Sequence, residues 1–200
     1  MRLTPLNGAM QMLRERILEL GYVLPGGVLN VNAFLNPPVR HQVTCPDRQD
    51  LCGHFRSRRA TKIVTIETSG IAAAVTTGIE LQVPVVFARK ARPSTIGDDH
   101  YTAPAYSYTK QAHSDVIVAK QFISSNDRLL VIDDFLARGE ALSALTSIVS
   151  QAAAVLVGIG IVIEKAFQRG GEKVCAAGHE VYSLARIKRL SPPNRIEFVQ

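Results

Sequence analysis

The amino-acid sequence predicts an α/β fold, in which helices flank a central and mostly parallel sheet. Three mostly apolar stretches lack the alternation of a half-exposed strand and are predicted to be buried strands: Lys62 to Ile66, Leu129 to Ile132 and Val155 to Ile163. The first two lead through short turns into apolar residues at helical spacing. Strands that alternate with helices in this way are typical of a parallel sheet.

Composition places the chain among ordinary soluble domains. It has 200 residues, of which 46% are hydrophobic and 20% are charged, so a single domain over residues 1–200 with a sizeable core is expected. The longest apolar run, at 152–163, is much shorter than the roughly 20 residues that cross a bilayer. Charged residues from Arg14 to Glu19 interrupt the apolar core that a signal peptide needs. We therefore expect a cytoplasmic protein without a membrane partner.

Charge and cysteine content narrow the possible partners. The net charge of +6 fits either nucleic acid or a small polyanionic substrate, but no Lys/Arg run marks a nucleic-acid tail, so no nucleic-acid partner is expected. Three cysteines, Cys45, Cys52 and Cys175, give no disulfide framework. His41 and His54 lie near two of them in the sequence, but the spacing lacks the paired pattern of a zinc site.

The N-terminal region is predicted to form one helix and then a small irregular unit. Apolar residues recur at helical spacing from Met10 to Leu20, and Gly21 ends the pattern. Residues 22–35 then alternate between apolar residues and turn formers. Prolines follow, so any helix before residue 60 is expected to start at or after Pro46.

The first predicted sheet strand leads into a turn of small residues. After Lys62 to Ile66 comes a turn of Thr68, Ser69 and Gly70, in which the first two carry hydroxyl groups and the small residues let the backbone approach a ligand closely. A helix follows them. The plainest interpretation is that Thr68 or Ser69 caps this helix, which is compatible with a ligand at the same turn.

Two further strands and a loop are predicted in the middle of the chain. Val83 to Ala88 is the third strand, and the basic pair that follows it includes Lys90, for which solvent exposure is the plainest interpretation. Ala91 to Thr102 is polar, contains proline and glycine, and is expected to be a mobile loop. Ala105 to Lys110 and Val116 to Phe122 are predicted to form a hairpin beside it.

The central stretch is LLVIDDFLARGEA, from Leu129 to Ala141. Its apolar run stops at two adjacent carboxylates, Asp133 and Asp134, and a loop with one glycine, Gly139, then leads into a helix. An Asp in this place is often only a cap or a turn residue. Two neighbouring carboxylates repel unless something hydroxylated or cationic lies between them. A helix that starts beyond a strand's carboxyl end suits a phosphate. A sugar phosphate would therefore use the acid pair, the loop and the start of the helix.

The C-terminal region completes the predicted sheet. Val155 to Ile163 is followed by Lys165, and a lysine just past a buried strand is usually a surface residue. Gly178 to Ile187 and Arg195 to Val199 read as a final pair of strands, with a double proline in the turn between them.

Seven collinear segments, which extend over most of the chain, resemble the bacterial xanthine phosphoribosyltransferases, a family of type I purine phosphoribosyltransferases. The segments are VLNVNAFLN (Val28 to Asn36), TKIVTIETSGIA (Thr61 to Ala72), VPVVFARK (Val83 to Lys90), YSYTKQ (Tyr106 to Gln111), VIDDFLARGEA (Val131 to Ala141), GIGIVIEKAFQ (Gly158 to Gln168) and SLARI (Ser183 to Ile187).

The resemblance implies a type I phosphoribosyltransferase fold with a small hood over the base, built mainly by about residues 1–40 and the C-terminal segment. It implies a mobile loop over the active site and a homodimer. The implied reaction is purine salvage, in which xanthine and 5-phospho-α-D-ribose 1-diphosphate (PRPP) give xanthosine 5′-monophosphate (XMP) and diphosphate. Mg²⁺ would be carried by PRPP, with no protein-only metal site.

The resemblance also implies roles for individual residues, with none of them a covalent nucleophile. Xanthine would contact Leu29, Asn36 and Lys165; without the resemblance, the first is a core leucine and the second a turn cap. A lysine can only donate hydrogen bonds, which favours an oxopurine over adenine. The 5′-phosphate loop would be Ala137, Arg138, Gly139, Glu140 and Ala141, and the ribose and diphosphate would be held by Asp133, Asp134, Ser69 and Lys90.

Two alternatives stay open at this point. A PRPP-sensing purine-operon repressor shares the fold but adds a winged-helix domain, and only residues 1–61 precede the first core strand here. A phosphoribosyltransferase that prefers guanine or hypoxanthine fits the same residues, because Lys165 argues only against adenine.

Overall fold

The computed structural model describes residues 8–35, 50–91, 99–107 and 112–199. The helices are α1 (Gly8–Leu20), α2, whose described part is 50–55, α3 (Gly70–Leu81), α4 (Glu140–Gln151) and α5 (Gly170–Ala176). The strands are β1 (Tyr22–Leu24), β2 (Val28–Asn30), β3 (Lys62–Ile66), β4 (Val85–Ala88), β5 (His100–Ser107), β6 (Ala112–Ala119), β7 (Arg128–Leu136), β8 (Val155–Lys165), β9 (Val181–Ser191) and β10 (Arg195–Phe198).

A six-stranded sheet in the order β10-β9-β8-β7-β3-β4 forms the centre of the molecule. Every neighbouring pair in it is parallel except β10 with β9, so the predicted mostly parallel sheet is confirmed. Strand β3 has the predicted bounds. Strand β4 begins two residues later than predicted, after Pro84, which has no N–H to donate to a neighbouring strand.

The two faces of the sheet are covered by separate hydrophobic clusters. Along β7, Leu130 and Ile132 belong to one cluster, whereas Leu129 and Val131 belong to the other. Helix α4 adds Leu142, Leu145, Ile148 and Val149 to the second cluster, at the spacing of one helical face. Coverage on both faces explains why the strands are apolar without alternation.

A hairpin of β5 and β6 lies beside the sheet, as predicted from the sequence. The predicted mobile loop is wrong at its C-terminal end, because His100 to Thr102 belong to β5 and pair with Ile117 to Ala119. Their pairing extends the hairpin beyond the short β pattern visible in the sequence. Residues 92–98 of that loop lie outside the described part of the chain.

The N-terminal helix is held against the C-terminal segment. Leu13 and Ile17 of α1 are buried, and the Arg14 guanidinium donates a hydrogen bond to the Val199 carbonyl at 2.9 Å. The described part of α2 is 50–55, and the prediction that a helix starts at or after Pro46 falls on residues outside the described part of the chain. Within the described ranges, every helix falls short of the length or apolarity that a bilayer-spanning helix needs.

Two short elements after β8 were not predicted from the sequence. One is a single 3₁₀ turn, Ala166–Gln168, and the other is α5. Helix α5 has seven residues and begins with two glycines, which have poor helix propensity, so its sequence carries little helical signal.

Candidate active site

The adjacent acids lie inside a strand rather than after its end. We predicted that the apolar strand stops at Ile132, but β7 continues through Asp133 and Asp134 to Leu136. The strand persists because β8 continues to pair with it, with Asp133 opposite Ile161. The two acids are only 4% and 7% exposed, and the Asp134 backbone N–H donates to Asp133 Oδ1 at 3.0 Å.

Burial strongly affects the ionisation of Asp133. It raises the pKa of Asp133 well above its usual value, and the negative charge of Asp134 raises it further. The positive charge of Lys90 acts in the opposite direction on the pKa of Asp133. A group that supplies hydroxyls or positive charge would therefore be favoured beside these carboxylates.

Helix α3 begins directly against the acid pair. A Cβ atom on Gly70 would lie 2.5 Å from Asp133 Oδ1 and 2.4 Å from Thr65 Oγ1, so only glycine fits there without displacement. The Thr65 hydroxyl is buried and makes no hydrogen bond. Ser69 occupies the N-cap position of α3, but its hydroxyl makes no capping hydrogen bond, so the plain capping interpretation fails for Ser69.

The ends of β3 and β4 are tied together next to the acids. The Lys90 backbone N–H donates to Glu67 Oε1 at 2.8 Å, and the Glu67 N–H donates to the Ala88 carbonyl at 3.0 Å. The Glu67–Thr68 peptide bond is cis. This arrangement puts the turn that contains Ser69 beside exposed Lys90, at the edge where both strands end.

Residues 137–139 join β7 to α4, so the predicted phosphate-binding loop 137–141 includes the first two residues of the helix. Gly139 has a φ of 90°, in the left-handed region that favours glycine, and it directly precedes the first residue of the helix, Glu140. The side chain of Arg138 is exposed, whereas that of Glu140 is half-buried. The first N–H groups of α4 have no acceptor within the helix, so they are available to an anion at this loop.

Lys165 is the last residue of β8 rather than a residue beyond it. Its Nζ atom lies 5.2 Å from the centre of the Phe135 ring, within the range of a cation–π contact. Burial lowers the pKa of the Lys165 ammonium, and the negative charge of Asp134 counteracts this. The structure therefore brings Lys165 near the acid pair.

Of the other two residues assigned to the base, the structure describes Leu29 but not Asn36. Leu29 is 5% exposed and belongs to the hydrophobic cluster against which Phe135 also packs. Its contact with a purine stays a prediction. Asn36 lies outside the described residues.

One buried charged residue beside this site, Glu164, was not predicted from the sequence. It is 5% exposed, and Arg186 Nε donates to its Oε2 atom at 2.8 Å. The two residues are cross-strand partners between β8 and β9. An acid directly after an apolar run was the signal for it, but the partner is too distant in sequence to be recognised from a local pattern.

These residues together suit a ligand that has both hydroxyl and anionic groups. Two buried carboxylates can accept hydroxyl hydrogens, while Lys90, Lys165 and the N-terminus of α4 offer positive charge. Among the described residues, no cluster of three or more His, Cys, Asp or Glu side chains has the arrangement to hold a metal ion.

Comparison with known proteins gives relatives over nearly the whole chain. A xanthine phosphoribosyltransferase of Pediococcus pentosaceus is 46% identical over 189 residues, which are 94% of this chain and 100% of that protein. One of Listeria innocua serovar 6a is 51% identical over 185 residues, which are 90% of this chain and 94% of that protein. No protein-family model matches this chain.

The fold also has relatives among solved structures. The adenine phosphoribosyltransferase of Trypanosoma brucei, in complex with AMP, pyrophosphate and ribose-5-phosphate, superimposes with a TM-score of 0.75 at 19% identity. The match covers 91% of this chain and 82% of that one. At this level of identity the similarity establishes the fold alone.

Proposed function

We infer the reaction of this protein from the family to which the chain belongs, the xanthine phosphoribosyltransferases. The chain has the type I phosphoribosyltransferase fold, and it is an enzyme that transfers a phosphoribosyl group. Its purine salvage reaction replaces the diphosphate at C1 of PRPP by N9 of xanthine, which gives XMP and diphosphate. The observation that carries this assignment is the buried pair Asp133–Asp134, with Lys165 near one acid and the start of α3 against the other.

We propose that the acid pair holds the ribose of PRPP. The carboxylates of Asp133 and Asp134 would accept the hydrogens of the two ribose hydroxyls, which also relieves the repulsion between the two charges. The sugar gains positive charge as the diphosphate leaves, and a preorganised negative charge stabilises that change. No covalent nucleophile is needed, because positioning of the two substrates supplies much of the rate enhancement.

The 5′-phosphate and the diphosphate of PRPP are assigned to opposite ends of this acid pair. Loop 137–141 and the N-terminus of α4 would hold the 5′-phosphate through backbone N–H groups. The turn at Ser69, together with Lys90, would hold the diphosphate. The Ser69 hydroxyl makes no capping bond, which leaves it available to a ligand, and Lys90 is exposed at the same edge.

The base is assigned to the space next to Lys165. The ammonium group would donate to an oxo group of xanthine, and its partial burial strengthens such a bond. Leu29 and Asn36 are proposed as the other contacts of the base. The assignment of Leu29 is supported by its membership of the hydrophobic cluster against which Phe135 packs, because Lys165 lies over the Phe135 ring.

We propose that PRPP carries Mg²⁺ into the site, without a site made of protein groups alone. Mg²⁺ prefers waters, substrate phosphates and one or two carboxylates, and the side-by-side acids Asp133 and Asp134 fit that preference. When bound, the ion supplies positive charge to the departing diphosphate. Activity should be lost with a chelator and return when Mg²⁺ is added in excess.

We further propose a cytoplasmic homodimer that acts on small molecules alone, with the chain forming one domain. The hood over the base is assigned to about residues 1–40 and the C-terminal segment. The contact between Arg14 and Val199, which joins those two regions, supports this assignment. Light scattering on the purified protein tests the dimer, and a monomer at micromolar concentration would contradict it.

A purine competition assay is the most informative test of the base. Purified protein is given PRPP, Mg²⁺ and an equimolar mixture of xanthine, guanine, hypoxanthine and adenine, and the four nucleotide products are separated. XMP is expected to dominate and AMP to be absent. A dominant guanosine or inosine monophosphate would reassign the base, and PRPP-dependent DNA binding without any nucleotide product would point to a repressor.

A double variant tests the ribose assignment. Asp133→Asn with Asp134→Asn keeps the shape of both side chains but removes the negative charges. The KM for PRPP should rise and kcat should fall, whereas Asp115→Asn, an exposed acid on β6, should leave both unchanged. Wild-type kinetics in the double variant would refute the assignment.

A further inference from the structure

We propose that Gly170 and Gly171 form a positioning element, which seats loop 137–141 on the buried Glu164 and thereby sets the loop's place relative to Lys165. The inference rests on the proposed function, since it assumes that this loop holds the 5′-phosphate. It assigns the placement of the loop to a residue pair that would not touch the substrate.

Gly170 faces the loop at backbone-to-backbone distance. Its N–H donates to the Ala137 carbonyl at 3.1 Å. A Cβ atom on Gly170 would lie 2.3 Å from that carbonyl oxygen and 2.8 Å from the backbone N of Gly139. Both obstructing atoms are backbone atoms, which cannot rotate away as a side chain would. Any side chain at position 170 must therefore displace the loop from the segment that carries Gly170.

Gly171 rests in the same way on a buried carboxylate. A Cβ atom on Gly171 would lie 2.5 Å from Glu164 Oε1 and 3.1 Å from Glu164 Cδ. Glu164 is itself held by Arg186 across the β8–β9 pair and is 5% exposed, so it has little room to yield. The glycine pair thus has the loop on one side and a fixed side chain of the sheet on the other.

The same segment leads back to the base site. Glu164 and Lys165 are consecutive residues of β8, and a 3₁₀ turn followed by Arg169 connects Lys165 to Gly170. The turn is closed by a hydrogen bond from the Arg169 N–H to the Ala166 carbonyl at 3.0 Å. A displacement at Gly170 is therefore transmitted over few residues to the lysine. We infer that phosphate placement and base placement are mechanically linked.

The test uses Gly170→Ala in the full chain and measures binding by calorimetry. Ribose 5-phosphate reports on the 5′-phosphate loop, and inorganic diphosphate reports on the Ser69–Lys90 edge. Ribose 5-phosphate affinity should fall about tenfold, the loss expected when one backbone hydrogen bond to a charged phosphate is broken. Diphosphate affinity should stay within about twofold, as expected of sites without shared contacts. The KM for xanthine should rise together with that for PRPP.

Gly53→Ala is the matched control, because a Cβ atom there meets nothing within 4 Å. If Gly170→Ala does not fold, Val174→Ala is used in its place. One methyl group of the buried Val174 lies 3.8 Å from the position that a Cβ on Gly139 would take. Its removal therefore takes away a side chain that packs against the loop. Unchanged ribose 5-phosphate affinity, or an equal loss for both ligands, in the folded variant would overturn the inference. A wild-type protein that binds no ribose 5-phosphate and makes no XMP would instead refute the proposed function.

Discussion

Burial is the dominant influence on the two best-defined charged side chains of the site. It raises the pKa of the Asp133 carboxyl and lowers the pKa of the Lys165 ammonium, so in each case it favours the neutral form. Asp134 acts on both groups, since its charge opposes ionisation of Asp133 and favours that of Lys165. Burial of these two groups in their charged forms therefore costs stability in the free protein.

Asp133→Asn should make the free protein more stable while it impairs PRPP binding. A carboxyl whose pKa is raised on folding stabilises the native state below its unfolded pKa of about 3.9, and this contribution is lost as the pH rises through the folded value. At pH 7.5 the variant should have a higher free energy of unfolding than wild type, because an asparagine carries no charge that burial would penalise. Urea unfolding at pH 7.5 and pH 4 measures this gain, which should shrink at the lower pH. A variant less stable than wild type at pH 7.5 would contradict the argument.

Lys165→Ala should impair the use of xanthine more than the use of PRPP. Loss of a hydrogen bond from a charged donor costs about 1.5–3 kcal/mol, so the KM for xanthine should rise about tenfold or more. The KM for PRPP should change by less than about threefold, because PRPP is not assigned to this side chain. Steady-state kinetics with each substrate varied in turn gives both values. Lys188→Ala, at an exposed position of β9, is the control, and an equal rise in both KM values would count against the base assignment.

Between elements, a polar cluster joins the N-terminal ends of β3 and β7, opposite the acid pair. Asp127 is 6% exposed and accepts hydrogen bonds from Lys62 Nζ at 2.8 Å, Thr61 Oγ1 at 3.0 Å and the Ser124 N–H at 2.8 Å. Burial alone would raise the pKa of the Asp127 carboxyl, but these bonds outweigh it and the pKa is lowered. These hydrogen bonds thus stabilise the end of the sheet that lies opposite Asp133 and Asp134.

Asp127→Asn should destabilise the fold without a specific effect on substrate binding. The expected loss at pH 7 is about 2 kcal/mol, in the range for hydrogen bonds to a charged group. A carboxyl with a lowered folded pKa contributes stability above its unfolded value of about 3.9, and loses it as the pH falls through the folded value. Urea unfolding between pH 7 and pH 2.5 should therefore show wild type approaching the variant at acid pH. A constant difference across this range would refute the electrostatic explanation.

For the fold as a whole, the N-terminal hairpin, formed by β1 and β2, is hydrogen-bonded to the C-terminal turn between β9 and β10. Asn194 Oδ1 accepts a hydrogen bond from the Val23 N–H at 2.9 Å, and Asn194 Nδ2 donates to the Gly21 carbonyl at 3.4 Å. The connection spans 171 sequence positions for the Val23 contact. The hairpin contains Leu29, so its placement relative to the sheet bears on the proposed base contacts.

Asn194→Ala should raise the KM for xanthine by about threefold, the factor expected from a hydrogen bond worth about 0.5–1.5 kcal/mol, and leave the KM for PRPP unchanged. The reason is that the substitution loosens only the hairpin assigned to the hood. Asn194→Asp is the matched variant, since it keeps the acceptor for Val23 and loses only the donor to Gly21. Kinetics of both variants decide the matter. If the two KM values for Asn194→Ala equal those of wild type, the hairpin does not contribute to the base site.

Local patterns in the chain were sufficient for most of the sheet. The mostly apolar segment that forms β3 marks a doubly covered strand, and Gly139 marks the turn before α4. These predictions succeeded because burial on both faces and helical spacing leave their mark within a few consecutive residues. The ends of elements were less well predicted: β7 continues through Asp133, and β5 begins at His100, since pairing with another strand sets those bounds.

The residue order alone was enough to determine the α/β class, the strand-to-helix turns and the position of the twin acids along the chain. Folding decided that Asp133 and Asp134 are buried, that Lys165 comes near them, and that Gly170 and Gly171 lie between loop 137–141 and Glu164. Periodicity records which face of one element is covered, whereas these contacts join residues that are distant in sequence. Their energies depend on distances and on solvent exclusion, which exist only once the sheet has formed.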